Sequence, residues 1–487
     1  MLASRPRPRP RALRVTAGLL AACTAACATN PATGAKQLSL VSESQEIQMG
    51  REYDREVTAS IGLYPDSALQ RYVQQFGSRL AATSERPGLP WSFHVVDDPV
   101  VNAFALPGGF IYVTRGILAH LNSEAELAGV VGHEIGHVTA RHTASRITKQ
   151  QLAQVGLVVG SIASPQLERY AGLASSALNV LFLKYSRDDE SQADHLGLRY
   201  MRRGNYDPRE MPNVFRMLDR VSAAQSGGRI PEWLATHPNP EHRRERIEQE
   251  IAALPQSFGG TVVNQDSYVR RLDGLVFGDN PRDGYFKGRE FIHPDLRFRL
   301  TFPDGWATSN GKQAVVAVSP QKDAAVELEL AKETSADAAA RAFFSQRGVT
   351  ADYPARTRVN GLPAVGAPFV ATTEGGTLTG TALFVEHGGA VFRLVGYAAE
   401  AGWPTYRAAA DWALRSFAPL TDSAALNVQP LRVAIVKLER RATIEALAHE
   451  RPSPVPVATL ALINQVEPQT PLESGRLVKW VVGHPAP

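Results

Sequence analysis

A chain of 487 residues, 44% hydrophobic and 21% charged, is too long for one compact domain and too apolar to stay disordered, so about two to four domains with real cores are expected. The formal net charge of +4 nominally favours a nucleic-acid partner, but Arg5, Arg7, Arg9, Arg11 and Arg14 lie within the first 22 residues, which hold no acid. Subtracting those five leaves −1 for the rest, so no nucleic acid is expected as a partner.

Residues 1–22 have the layout of a secretory signal peptide: a basic start, an apolar run from Val15 to Ala22 and small residues leading into a cysteine. The run is too short to span a bilayer as a mature helix. Leu20-Ala21-Ala22-Cys23 resembles a bacterial lipobox, in which the signal is cut before a cysteine that is then lipidated. Thr24-Ala25-Ala26-Cys27 is the alternative, with threonine where an aliphatic residue is usual. A plain signal with incidental cysteines is the bland reading. Both cysteines of the chain sit here, so disulfides do not stabilise the folded body. A lipid-anchored protein on the periplasmic side of the envelope follows. Neither Thr24 nor Ala28 is the aspartate that commonly retains lipoproteins at the inner membrane, which favours the outer membrane. Residues 23–45, polar and small in their larger part, read as a tether.

From 46 to 252 the spacing is mostly helical, interrupted near 92–114 by the β-branched runs FHVVDDPVV and GGFIYVT, and reads as one α+β domain. Ser123, three residues before Glu126, forms a capping box that opens a helix whose apolar face carries Leu127, Val130, Val131 and Val138. That helix runs through His133-Glu134-Ile135-Gly136-His137. Spacing of i and i+4 places both imidazoles on one side, about a turn apart, where they can share one tetrahedral zinc ion per chain. Glu134 lies beside the first histidine and can take a proton from the attacking water. An amphipathic helix carrying two histidines by chance is the alternative, and the cap and the apolar face weigh against it.

A catalytic zinc wants a third protein ligand. Ala140 and Thr143 stand where a metzincin has a glycine and a histidine, and His142 is one position off, which puts it on another face of the helix. A better ligand comes 53 residues after His137, in YSRDDESQADHLGLRYM. Its helical spacing supplies Glu190 as ligand and, one turn later, Asp194 as an acceptor that orients a ligand histidine.

Residues 253–290 are rich in turn formers and read as a linker. Over 291–420 segments such as LRFRLTFP and GAVFRLVGYA alternate as strands do, while 335–346 and 404–416 have helical spacing. This texture resembles a PsbP-like α/β sandwich. Residues 428–487 run strand, helix, helix, strand, and resemble a degenerate LysM module. That resemblance implies contact with peptidoglycan, but Arg441-Ala442-Thr443 replaces the usual Gly-Asp-Thr turn, which weakens the glycan reading more than the fold reading. The expected fold class is thus multidomain α+β: a mainly helical zinc peptidase domain with a small sheet, then an α/β sandwich, then a small βααβ module.

HEIGHVTARH at 133–142, Glu190 and Asp194 in an ExxxD pattern, VNAFALPGGFIYVTRGIL at 101–118 and NPATGAKQLSLVSESQEIQMG at 30–50 together resemble a known family. It is the zinc metallopeptidase family of CAAX prenyl protease and HtpX, and the likeness is closest to its periplasmic, BepA-like lipoprotein branch. The resemblance covers residues 28–250 and implies a gluzincin arrangement with His133, His137 and Glu190 as ligands. It also implies unfolded or misassembled envelope proteins as substrates. The multi-pass helices of the membrane members are not read here, since the apolar run LAQVGLVVGSIA is too short to cross a bilayer. Nor is the helical-repeat domain of some periplasmic members read, so their particular partners do not carry over.

The stretch 102–113 is expected beside the cleft, where an edge strand pairs with an extended substrate; Asn102, Ala103 and Phe104 are placed there, with Phe104 equally readable as core. His237, between Thr236 and Pro238, is expected on a stiff loop over the cleft, as in the similar His-Pro segment of the family. It would block the open metal position as a latch, donate to an oxyanion, or only pack the domain edge. An endopeptidase for envelope proteins leads the functional readings. A catalytically silent holdase, against which Glu134 argues, and a peptidoglycan hydrolase follow it.

Overall fold

The computed structural model describes residues 27–156, 185–224, 237, 240–254, 258–373 and 376–484. The chain divides into two compact units, the first ending at Arg271 and the second running from Leu272 to Pro487 with the short piece Ala59–Gly62. Among the described residues no helix is long and apolar enough to cross a membrane. Cys23, and LAQVGLVVGSIA beyond Gly156, lie outside the described residues.

The first unit opens with a hairpin, β1 (Cys27–Thr29) and β2 (Lys36–Leu38), in which Cys27 pairs with Leu38. Helix α1 (Glu43–Ser60) follows, then α2 (Ser67–Ala81), started by the Asp66 carboxylate accepting from the amides of Ala68 and Leu69 at 2.9 Å each. The β-branched runs form β3 (Ser92–Val96), β4 (Ala103–Leu106) and β5 (Phe110–Thr114). Strand β5 is central, parallel to β3 and antiparallel to β4, which leaves β4 at an edge of this sheet.

After α3 (Arg115–His120), the chain enters α4 (Glu124–Thr139), which carries the HExxH residues. Ser123 Oγ accepts from the Glu126 amide at 3.0 Å, and the Glu126 carboxylate accepts from the amide of Asn122 at 2.6 Å, so the predicted cap forms with its reciprocal half one residue earlier. Every residue of α4 is buried, including its polar ones. A helix buried all round must be satisfied from all sides, and the remaining elements enclose it. These are α5 (His142–Gly156), α6 (Arg187–Arg203), α7 (Met211–Ala224) and α8 (Pro240–Ala252). Within the stretch read as linker, α9 (Gln265–Arg271) belongs to this unit, and the Tyr268 hydroxyl donates to the Leu118 carbonyl at 2.9 Å.

Helices α4 and α6 approach at two glycines. A Cβ on Gly197 would stand 3.0 Å from the His133 amide nitrogen, and one on Gly132 would stand 3.2 Å from the Gly197 Cα. Only residues without a side chain allow backbones that close.

Helix α4 stops at Ala140 because Arg141 takes φ 60, the left-handed region, from which α5 sets off in a new direction. Arg141 is held there by Glu46 at 3.0 Å and by the Val41 carbonyl at 2.5 Å. Glu46, only 1% exposed, also pairs with Arg86 at 2.9 Å, and Arg86 in turn donates to the Val138 carbonyl at 2.9 Å.

The second unit has an eight-stranded sheet whose centre is the antiparallel meander Leu362–Thr373, Gly376–His387 and Ala390–Ala399. Helix Ala336–Phe344 covers one face, packing with Phe369 and Phe384. Helix Trp403–Arg415 and a four-stranded sheet holding Phe291 and Phe298 share a second core with Leu383, Val385 and Phe392. Both helices fall within a residue or two of the stretches with helical spacing. The chain closes with strand Arg432–Lys437, helices Ile444–Glu450 and Val457–Ile463, and strand Leu477–Val482, the two strands antiparallel around a buried Trp480. The predicted βααβ order is present, and the LysM likeness rests on that order alone.

Candidate metal centre

Four side chains converge beneath α4. One ligand atom each of His133, His137, Glu190 and His237 lies within 4.8 Å of the others, and all four residues are buried. The His133 and His137 Nε2 atoms stand 2.9 Å apart, as the i, i+4 spacing requires. Glu190 faces both, at 3.5 Å from each Nε2. His237 Nδ1 completes the set at 2.9 Å from Glu190 Oε1 and 3.3 Å from His133 Nε2.

Glu190 is placed by the start of its own helix. Ser186 and Asp189 form a reciprocal capping box at 3.2 and 3.0 Å, so α6 begins three residues ahead, at Arg187, and offers Glu190 from its first turn. A carboxylate there is favoured by the helix dipole. Burial opposes the charged form of Glu190. The facing charges of His237 and Arg243, with a hydrogen bond from His237, outweigh it and hold the carboxyl well below its usual range.

A second layer orients the first. His133 Nδ1 donates to Asp194 Oδ1 at 2.9 Å, the contact expected of Asp194. Burial works against the charged form of Asp194 too, but the Arg243 charge and hydrogen bonds keep the carboxyl low. Arg243, on α8, donates from Nε and Nη2 to Asp194 at 2.8 and 2.6 Å and lies 2.8 Å from Glu190 through Nη1. One buried guanidinium thus faces both carboxylates. Arg243 was not foreseen. It sits in PEHRRERIEQE beside Arg244 and Arg246, and nothing in the local pattern separates the buried arginine from its half-buried neighbours.

His142 corrects the sequence reading. Expected on another face, it lies with Nδ1 2.9 Å from His137 Nδ1, because the left-handed Arg141 breaks the helix and turns the chain back. Burial lowers both imidazoles below the ordinary histidine value, His137 strongly. Tyr185 was also missed: its ring stacks on His137 at 3.9 Å, and its hydroxyl pairs with Thr143 at 3.0 Å.

Glu134 is 1% exposed, and burial raises its carboxyl pKa, the charges of His237 and His133 pulling the other way. Its Oε1 is 3.7 Å from His237 Nε2, and its Oε2 is buried without a hydrogen-bond partner among the described residues. In the sheet, Asn102 precedes edge strand β4, Ala103 is buried, and the Phe104 ring stacks on Tyr112 at 4.7 Å.

Two imidazoles and a carboxylate closing on one point, with a further histidine as fourth donor, are borderline N/O ligands at tetrahedral count, which is zinc chemistry. The orphaned Glu134 oxygen beside them fits a site whose contents include a proton donor. Residues 67–251 match the description "Peptidase family M48". This segment is a family M48 peptidase domain.

The M48 segment and its flanks are 30% identical over 301 residues to the beta-barrel assembly-enhancing protease of Escherichia coli (strain K12), covering 58% of this chain and 57% of the relative. They are 33% identical over 219 residues to the mitochondrial metalloendopeptidase OMA1 of Arabidopsis thaliana, covering 44% and 42%. The chain therefore spans about half the length of the curated relatives it matches. Cyanobacterial PsbP from Synechocystis matches 27% of this chain and 91% of its own at 15% identity and a TM-score of 0.23, too low to assign the second unit's fold.

In the M48 domain, Arg243→Met leaves Asp194 and Glu190 buried without their shared cation. Breaking a buried pair from one side costs about 3–5 kcal/mol. Urea denaturation of the metal-free protein should show a loss of that order, and a loss under about 1 kcal/mol would mean that the two carboxylates find other partners.

Proposed function

We propose that the chain is a zinc-dependent endopeptidase hydrolysing peptide bonds of misfolded or misassembled cell-envelope proteins, with His133, His137 and Glu190 holding the metal and Glu134 as general base. The observation that carries this reading is the convergence of the buried histidines and Glu190 beside the unpartnered Oε2 of Glu134. Zinc, when bound, supplies Lewis-acid polarisation of the scissile carbonyl and makes water more acidic. Glu134 Oε2 accepts the proton of the attacking water and hands it to the leaving amine. Its raised pKa brings it nearer the range in which it can do both. Asp194 keeps the proton of His133 on Nδ1, leaving Nε2 free for the metal. Edge strand β4 and the residues around Asn102, Ala103 and Phe104 take the substrate backbone by strand addition. The envelope substrate class is supported by the relative's name, a protease that enhances β-barrel assembly, and by the signal-like first 22 residues.

With unfolded casein as substrate, Glu134→Gln should retain stoichiometric zinc and lose about a hundredfold or more in turnover. Chelator-sensitive cleavage at a near wild-type rate would remove Glu134 from the mechanism.

His237 is read as the latch. Its Nδ1 already faces Glu190 and His133, so it stands as a fourth protein donor where a catalytic site needs an open position. His237→Ala should therefore increase basal proteolysis. A fall on the order of a hundredfold with zinc retained would assign it instead to the oxyanion.

The lipid anchor is placed at Cys23, or at Cys27 if the cut falls later, with the body on the periplasmic side, at the outer membrane. The double variant Cys23→Ala, Cys27→Ala should leave the membrane fraction in a high-salt wash. Its retention there would contradict the anchor.

A further inference from the structure

The segment Asn30-Pro31-Ala32-Thr33-Gly34 takes no part in the proposed catalysis, yet Asn30 is only 5% exposed. It joins β1 to β2 as a turn: the Gly34 amide donates to the Asn30 carbonyl at 2.8 Å with Gly34 at φ 73, and the Asn30 amide donates to the Ala35 carbonyl at 2.8 Å. Inside the turn, the Ala32 amide donates to Asn30 Oδ1 at 2.9 Å.

That last bond sets a sequence of polarities. A backbone N–H can only donate, so Asn30 must present its oxygen to Ala32 and its NH2 to the other side. On that side Asn30 Nδ2 donates to Gln192 Oε1 at 3.1 Å. Gln192 is thereby turned oxygen-outward, and the same Oε1 faces His142 Nε2 at 2.8 Å. His142 Nε2 must then carry the proton, which in a neutral imidazole leaves Nδ1 bare. The bare Nδ1 stands 2.9 Å from His137 Nδ1, which therefore carries a proton and donates it. His137 Nε2 is left with its lone pair, pointing at His133 and Glu190. Asp189, 3.9 Å from His142 Nε2, is outside hydrogen-bond reach and is engaged with Arg146 and Ser186 instead.

We infer that Asn30 is a positioning residue for the metal centre: the N-terminal turn fixes the tautomer of His137 through Gln192 and His142. His133 gets the same tautomer from a carboxylate, which can only accept. His137 has no carboxylate on Nδ1 among the described residues, and a histidine by itself accepts or donates with equal ease. The polarity must come from a group with no choice, and the Ala32 amide is that group. The segment leading out of the proposed lipid-bearing cysteines is in this way wired to a metal ligand, and its docking conditions how tightly the metal is held.

The inference rests on the reading that His137 holds zinc. Zinc affinity of the full chain is measured by competition with a chromogenic chelator, alongside thermal melting of the metal-free protein. Asn30→Asp keeps the acceptor for Ala32 and so keeps the turn, but cannot donate to Gln192. If Gln192 rotates to donate to the new carboxylate, its NH2 then opposes the His142 N–H, so the relay breaks either way. Loss of a group supporting a ligand costs 10–100-fold in metal affinity, so Asn30→Asp should weaken zinc about tenfold with the metal-free melt unchanged. In a His142→Ala background, which already lacks the relay, Asn30→Asp should change affinity by less than about twofold. Affinity of Asn30→Asp within about twofold of wild type, or an equal loss in both backgrounds, overturns the relay. Wild-type protein that binds no zinc would fail the zinc reading itself, a distinguishable outcome.

Discussion

The close approach of α4 and α6 is the constraint on which the centre depends. Two histidines on one helix can define a line, but a metal needs a third donor from another element at a few ångströms. Gly132 and Gly197 let the two backbones meet with no side chain between them, and Glu190 comes within 3.5 Å of both imidazoles. Any Cβ at Gly197 would press on the amide of His133, one of the proposed ligands. Packing and chemistry therefore share the same atoms, and the site tolerates little change at positions that carry no chemistry.

Bringing Glu134, Glu190 and Asp194 into one dry volume raises a charge problem. Isolated carboxylates buried in low dielectric protonate or stay apart. Arg243 answers it for two of them by facing Glu190 and Asp194 together, whereas at Glu134 burial outweighs the charges of His237 and His133 and the pKa rises. The three acids thereby acquire different properties from their surroundings: two held as firm anions among the clustered histidines, one with its carboxyl pKa raised by burial.

A second set of buried charges acts on geometry. Glu46 holds Arg86 and Arg141, and the left-handed Arg141 ends α4 within a few residues of His137. The break sends α5 back over the site, where His142 meets His137 and the segment just after the β1–β2 hairpin meets α5 through the Leu40 amide, 3.0 Å from Thr148 Oγ1. The N-terminal segment is thus part of the peptidase unit's inner structure and supports the ligand side of the centre.

The sequence by itself determined what is local. The spacing of His133 and His137, the Ser123 cap, the β-branched runs that became β3 to β5 and the helical phase linking Glu190 to Asp194 are all set by residues a few positions apart, where helix and strand periodicity reaches. Tertiary structure alone decided the rest. Arg243 looks like its neighbours Arg244 and Arg246 until α8 packs against α6 and buries Arg243 against both carboxylates, while the half-buried Arg246 reaches only Asp194, at 3.3 Å. His142 lies one position off the helical phase of the motif, and only the break at Arg141, stabilised by Glu46 from 95 residues away, brings it to His137. Periodicity assumes that a helix continues, whereas a left-handed residue held by a distant buried ion pair ends it, and no window of neighbouring residues carries that information.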